Sequence, residues 1–381
     1  MHFQLNEEQL QIQEMVAGFA SERLAPMSGE WDETSHFPTD VLRELAELGL
    51  AGIYVDPEHG GTGLGRMEAS IIFEELAKGD VSTAAFLSIH NMVAWMIDRF
   101  GADEMRAQWL PALCSMEKIA SYCLTEPGSG SDAAALKTRA EADGNSQYRL
   151  NGTKAFISGA GVSDVYCVMV RTGEDGPGGV STVLVENGAP GLSFGALEKK
   201  MGWNSQPTAQ VQFDDCLVPV ENRVGAEGDG FKFAMAGLDG GRINIAACSL
   251  GGAAWALETA LAYVQERKAF GKPLAAQQAL QFKLADMATK LEAARLMVRR
   301  AAWALDQKAP DASMRAAMAK QFATDVCFEI VDEALQLHGG YGYIREYGLE
   351  QRLRDLRVHR ILEGANEIMR LIISRKLLEA A

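Results

Sequence analysis

The stretch "YCLTEPGSGSD", Tyr122 to Asp132, opens a G-x-G-x-x-A spacing at Gly128, Gly130 and Ala133. That spacing is one form of the dinucleotide-binding loop, which needs a parallel strand before it and a long helix after it, inside a repeating βαβ pattern. Neither neighbour fits. Glu126-Pro127 separates the strand-like "IASYCL" from the glycines, and only a few helical residues follow Ala133 before antiparallel strands begin. Gly128 and Gly130 read instead as places where a loop backbone comes close to a ligand.

Working outward, the hydrophobic period changes twice. Residues 5 to about 117 read as helical: Asn6 can cap a helix with Gln9 reaching back, Ile12, Val16 and Phe19 share one face, and Pro26 ends it. "TDVLRELAEL" stops at Gly49, and further helices are expected over Glu68–Lys78, Thr83–Arg99 and Asp103–Cys114. From Ile119 to about Gly225 the chain turns to short β-branched runs separated by Gly, Pro and Asn. Within it, "YRLNGTKAFIS" predicts a hairpin across Asn151-Gly152. Helices return from about Phe231. One is expected from about Gly240 to Lys268, a second on the Leu280–Leu305 stripe, a third on the Met318–Leu337 stripe and a last over 366–379. The expected class is α+β and multi-domain: an N-terminal all-α domain (1–118), a central antiparallel β-barrel or sandwich domain (119–228) and a C-terminal four-helix bundle (229–381).

The 381 residues carry 36 Lys+Arg against 51 Asp+Glu, a formal charge of −15. With no basic run to segregate charge, this balance argues against nucleic acid, and no such partner is expected. No apolar run reaches the ~18 residues of a spanning helix, so no membrane insertion is expected. "MHFQLNEEQLQ" has neither a basic nor an apolar leader region, so a cytoplasmic location is expected. Cys114, Cys123, Cys167, Cys216, Cys248 and Cys327 form no C-x-x-C pair, and the six histidines form no H-E-x-x-H. No metal site is expected, and the cysteines read as small buried apolar residues.

Four stretches carry chemistry. "YCLTEPGSGSD" offers the hydroxyls of Thr125, Ser129 and Ser131; "ERKAFGKPL" places Arg267 and Phe270 near a helix end; "QLHGGYGYIREY" breaks a helix with paired glycines. In "HRILEGANEIMRLIISR" one carboxylate, Glu363, stands between Ile361-Leu362 and Gly364-Ala365. Apolar neighbours raise a carboxyl pKa and suit a general base. Each stretch alone also reads as a turn, a cap, a terminator or a surface glutamate.

Together, in this order, and with "DPEHGGTGLG" and "LDGGR", the four stretches resemble the acyl-CoA dehydrogenase family over essentially the whole chain. The resemblance implies an FAD enzyme that oxidises an acyl-CoA thioester to the 2,3-enoyl product. A glutamate takes the α-proton while a hydride leaves the β-carbon for the flavin, and the base's own N–H helps hold the thioester oxygen. It assigns the base to Glu363. It places Tyr122, Leu124, Thr125, Gly130, Ser131, Phe156, Ile157 and Ser158 at the flavin. Arg267, Phe270, Gln277 and Gln278 would reach FAD from a neighbouring subunit. Gln336, Gly339, Gly340, Ala365, Asn366 and Glu367 match its remaining contacts. Ser131, Asp239, Arg242, Gly364 and Arg375 match positions that hold the CoA substrate. Many members have Trp and Thr at 156 and 158; here Ser158 keeps the hydroxyl, and Phe156 keeps an aromatic face but loses the indole donor.

The base position also divides the family. Isovaleryl-CoA and long-chain branches carry their glutamate at the position of Gly241, which has no side chain here. "STAAFLSIHNMVAWMID" has no Arg or Lys, which disfavours a dicarboxylate. The runs "RDLRVHRILEGANEIMRLIISRKLL" and "GGRINIAACSLGGA" are most similar to the branch that acts on isobutyryl-CoA in valine catabolism, with 2-methylbutyryl-CoA and butyryl-CoA as runner-up substrates. One methylene is worth only about 1–3 kcal/mol of discrimination. The resemblance further implies a homotetramer and electron-transfer flavoprotein as acceptor. An oxidase that uses O₂ and a DNA-protecting flavoprotein are alternatives of the same fold.

Overall fold

The computed structural model describes residues 4–379. Part of the leader-free reading falls on Met1–Phe3, outside the described residues, as do Ala380 and Ala381.

The N-terminal helices are α1 (Glu7–Phe19), α2 (Ser28–Thr34), α3 (Thr39–Glu47), α4 (Arg66–Gly79), α5 (Val81–Phe100) and α6 (Asp103–Cys114). Asn6 and Gln9 form the predicted capping box, and one π turn, Ala20–Leu24, carries α1 on toward Pro26. The β region holds β1 (Ala120–Cys123), β2 (Arg139–Asp143), β3 (Gln147–Ser158), β4 (Val165–Arg171), β5 (Val180–Glu186), β6 (Leu192–Phe194), β7 (Thr208–Pro219) and β8 (Arg223–Val224). They form one sheet in the order β6-β7-β3-β2-β4-β5-β8, with β1 beside β4.

Two expectations change here. The pairing is not wholly antiparallel: β1 runs parallel to β4, with Tyr122 opposite Cys167. The hairpin is also elsewhere. β2 and β3 pair from Asp143↔Gln147, so the turn lies at 144–146, and Asn151-Gly152 sits inside β3 at a bulge against β7. Asn151 spends its amide across the strands, donating to Asp215 Oδ1 at 3.1 Å and accepting the Asp215 N–H at 2.9 Å. A Cβ on Gly152 would meet Thr138 at 2.6 Å. Close approach, not a turn, is what the glycine serves.

After the sheet come α7 (Gly230–Glu266), the hairpin β9 (Lys268–Ala269) and β10 (Lys272–Pro273), α8 (Gln278–Asp306), α9 (Ala312–His338), α10 (Leu349–Arg357) and α11 (Asn366–Glu379). α7 begins at Gly230, well before the expected Gly240. Gly237, Gly240 and Gly241 argue against helix at about 1 kcal/mol each, but at two of them neighbours occupy the space a side chain would take, Arg66 at Gly240 and Glu363 at Gly241. α7 is long and apolar enough to match a membrane span by composition, yet most of it is buried against other helices, the pattern of a core helix.

One core joins α1, α4 and α5 to α7, α8 and α9, so the two helical regions share an interior. In β4, Tyr166, Val168 and Val170 face the core within the sheet, while Val165, Cys167 and Met169 face α5 and α6. α11 contributes only Asn366 and Met369 to the interior.

Candidate active site

Glu363 lies on the connector between α10 and α11 with a left-handed backbone, φ 55°, followed by Gly364 at φ 87°. A non-glycine residue held there costs about 1–3 kcal/mol, which the surroundings have to impose. The turn lays the carboxylate over α7. A Cβ built on Gly241 would stand 2.5 Å from Oε2 and 2.9 Å from Cδ. Oε2 is buried and finds no hydrogen-bond partner among the described residues. Burial pushes the carboxyl up to about 7, with Arg242 and Lys320 pulling the other way. The Glu363 N–H also meets no acceptor among the described residues. A buried carboxylate with one uncommitted oxygen, beside an uncommitted N–H, can take a proton from carbon and hold the oxyanion that forms.

Gly241→Ala tests this seat. Its methyl would fall on a flexible carboxylate, so the fold should stand while the base is displaced. An ångström of misplacement costs about 10²-fold in rate, read as substrate-driven bleaching of the flavin; wild-type bleaching would show that the carboxylate works from elsewhere.

Two cations fix the connector. Arg242 Nε donates to the Glu363 carbonyl at 3.3 Å, and its Nη1 pairs with Asp239 at 2.6 Å. Ser313 donates to the other Asp239 oxygen. Lys320, fully buried on α9, donates to the Gly364 carbonyl at 2.8 Å and to Asn366 Oδ1 at 2.9 Å. Asn366 donates in turn to Thr324 at 2.9 Å and Asp325 at 3.0 Å. The Asn366 side chain is thus buried and spent on α9, so an expected cofactor contact here falls to its backbone. Lys320 was missed in the sequence. The signal was there, a lysine on the stripe Ala316, Ala323, Cys327 and Val331 that α9 buries.

The β-domain residues form a second group. Tyr122 Oη is buried without a partner among the described residues, close enough to feel the charge of Glu363. Thr125 is tied to β3, its carbonyl accepting the Ala155 N–H at 2.8 Å. Phe156, at a bulge with φ 58°, is 68% exposed, and Ser158 two residues on is half-buried. Ile157 is corrected: strand alternation turns its side chain into the sheet core, 3% exposed, so it offers a ligand only backbone. Side chains added at Gly128 or Gly130 would meet nothing within 4 Å, and Ser131 beside them is exposed. Sequence reading also missed the pair beneath this loop. Buried Lys154 donates to Glu126 Oε1 at 2.9 Å and to the Leu124 carbonyl at 3.0 Å.

A third group stands apart. Phe270, at the tip of the β9–β10 hairpin with φ 52°, is 96% exposed. Arg267 is exposed with its guanidinium 5.5 Å over the Tyr341 ring. Gln336, Gly339 and Gly340 are exposed at the end of α9, Gln278 at the start of α8, and Gln277 is half-buried before it. Lys320 and Gln336 are sixteen residues apart on one helix, about 24 Å at 1.5 Å per residue. One subunit therefore does not bring this group to Glu363. Glu367 and Arg375 are exposed on α11, and Arg375 lies about 13 Å along it from Asn366.

Exposed aromatic faces at Phe156 and Phe270, clear backbone at Gly128, Gly130, Gly339 and Gly340, and hydroxyls at Thr125, Ser131 and Ser158 suit a large, flat, phosphate-bearing ligand better than a metal. No group of metal-ligating side chains occurs among the described residues.

An α–β–α chain with a buried, unpartnered carboxylate seated over a glycine of the long core helix has the groups a carbon–carbon dehydrogenase needs. Family models for the N-terminal, middle and C-terminal domains of acyl-CoA dehydrogenases match residues 6–117, 121–216 and 228–378. The chain belongs to the acyl-CoA dehydrogenase family. It is 60% identical to the mitochondrial isobutyryl-CoA dehydrogenase of Dictyostelium discoideum and 57% identical to that of Bos taurus, in each case over 98% of this chain and 90% of the relative. The solved FAD complex of PigA superposes with a TM-score of 0.96 at 32% identity, covering both chains fully.

Proposed function

We propose that this acyl-CoA dehydrogenase takes isobutyryl-CoA as its preferred substrate and converts it to methacrylyl-CoA, as a step of valine catabolism, passing the electrons to an electron-transfer flavoprotein. The observation that carries the chemistry is the Glu363 carboxylate seated on Gly241 with one free buried oxygen. FAD is the cofactor, and when bound it accepts the hydride from the substrate's β-carbon. Glu363 receives the α-proton on its carboxylate. Its N–H donates to the thioester oxygen as charge develops there.

Two features support a short acyl group. Ile245, one turn along α7 from Gly241, packs against Ala85, Trp203 and Leu362. Asn244 beside it is tied across the same space, donating to Ser88 of α5 at 3.0 Å and accepting from Tyr54 at 2.9 Å. The wall behind the base thus closes within about one turn, ~5 Å. The names of the two mitochondrial relatives support the branched C4 choice.

Turnover against C4 to C6 straight and branched acyl-CoAs with a dye acceptor tests the substrate. The highest kcat/KM is expected on isobutyryl-CoA; a higher value on butyryl-CoA or 2-methylbutyryl-CoA contradicts it. Hydrogen peroxide released during turnover would mark an oxidase instead.

The exposed third group supports a homotetramer in which a neighbouring copy's Arg267 and Phe270 reach this subunit's FAD. Arg267→Ala is then expected to weaken FAD binding by about 1.5–3 kcal/mol, the worth of a charge-assisted contact, and to reduce oligomer mass. Unchanged FAD affinity and mass would remove the cross-subunit role.

A further inference from the structure

Lys320 is a fully buried cation whose two hydrogen-bond partners are a carbonyl and an amide oxygen rather than a carboxylate. An ammonium enclosed in this way is costly unless it does something its neighbours need. Its surroundings show what that is. Arg242 holds the Glu363 carbonyl and Lys320 holds the Gly364 carbonyl, so the two peptide planes that follow the Glu363 Cα are each gripped by a cation. Glycine at 364 is conformationally permissive. Without a grip on its carbonyl the connector could relax out of the left-handed turn that seats the carboxylate on Gly241.

We propose that Lys320 is a positioning residue for the base: it fixes the Glu363–Gly364 turn through the Gly364 carbonyl, and its charge favours the carboxylate form of Glu363. This rests on Glu363 being the base. The charged groups around Lys320 are Glu363 from the connector, Glu367 from α11, Arg242 from α7 and Asp325 from its own helix. His359, in the turn before the connector, also faces it and is held neutral by burial and by the Lys320 charge. Burial pushes Lys320 itself down to about 7, with Glu363 opposing the shift. Lysine and base therefore titrate as a linked pair rather than independently.

The test compares wild type, Glu363→Gln, Lys320→Met and Lys320→Arg as FAD-loaded enzymes, reading flavin bleaching by isobutyryl-CoA against pH. Loss of bleaching and of its acidic limb in Glu363→Gln secures the base, so failure of that reading is seen separately. Lys320→Met is expected to lower the bleaching rate about 10–100-fold, the usual effect of losing an orienting partner. It should leave KM within about threefold, consistent with misplacement of the reacting group rather than lost binding. Its acidic limb should move up by about one pH unit, because a nearby cation has been removed. Lys320→Arg, which keeps the charge, should bring the limb back toward wild type. A Lys320→Met enzyme with wild-type rate and limb overturns the proposal, even if it melts earlier. If that variant does not fold, Lys320→Gln takes its place under the same two outcomes.

Discussion

Glu363→Gln is expected to bind acyl-CoA and to lose flavin reduction by about 10²–10⁴-fold, the range a positioned general base supplies. Glutamine matches the size of glutamate, keeps the connector's backbone and still fits over Gly241, so binding and fold should be spared. What it lacks is a basic oxygen. In the native chain Oε2 has no hydrogen-bond partner among the described residues, and that leaves it free for a substrate proton. The backbone N–H survives the substitution, so stabilisation of the thioester oxygen should too, and a residual rate above solution is expected. Stopped-flow bleaching reads the step. Bleaching near the wild-type rate would mean that another group removes the proton.

Lys154→Met should be the most damaging change for stability. Lys154 is 0% exposed, and its partner Glu126 is 7% exposed. Burial alone would push the Glu126 carboxyl up, but Lys154 and the N–H groups of Lys137 and Thr138 more than offset this and hold it below the usual carboxylate range. Removing the ammonium strands that carboxylate in the interior, at about 3–5 kcal/mol. It also frees the Leu124 carbonyl beside Thr125, so the variant should melt earlier and release flavin more readily. Adding Glu126→Gln should recover much of the loss, because a buried pair replaced at both ends is often near neutral. A single variant as stable as wild type would show that the pair holds nothing in place.

Much of this could be read in the sequence, and the failures share a cause. α6 was legible to the residue, with Asp103 and Glu104 in its first turn as the local signal. Positions 241 and 363, singled out together in the sequence, meet in three dimensions: the Glu363 carboxylate fills the space that a side chain at 241 would need. Asn151-Gly152 misled because a hairpin signature counts only the two residues, whereas Asp215 and Thr138, distant in sequence, decide what they do. The start of α7 was hidden in the same way, Gly240 and Gly241 making room for Arg66 and Glu363 from other elements. On α9 the stripe from Met318 to Leu337 marks the helix, and Val326, Ile330, Ala334 and Leu337 on it are buried; Met318 and Phe322 are half-buried, and the interior there is completed by Ala316, Ala319, Lys320 and Ala323. Small residues leave little trace in hydrophobic periodicity, and the lysine among them looked like solvent. α10 escaped because its nine residues, LEQRLRDLR, are mostly charged or polar, though Gln351, Arg352 and Asp355 are buried.

The proposed role of Glu363 in removing the α-proton is tested most sharply by the pH dependence of bleaching at low isobutyryl-CoA, where the second-order rate reports the free enzyme. The base works deprotonated, and burial places its carboxyl at about 7 rather than at its ordinary 4.5. The rate should therefore climb tenfold per unit below about pH 7 and level off above it, and the climb should vanish in Glu363→Gln. A wild-type rate that stays level down to pH 5 would contradict the claim.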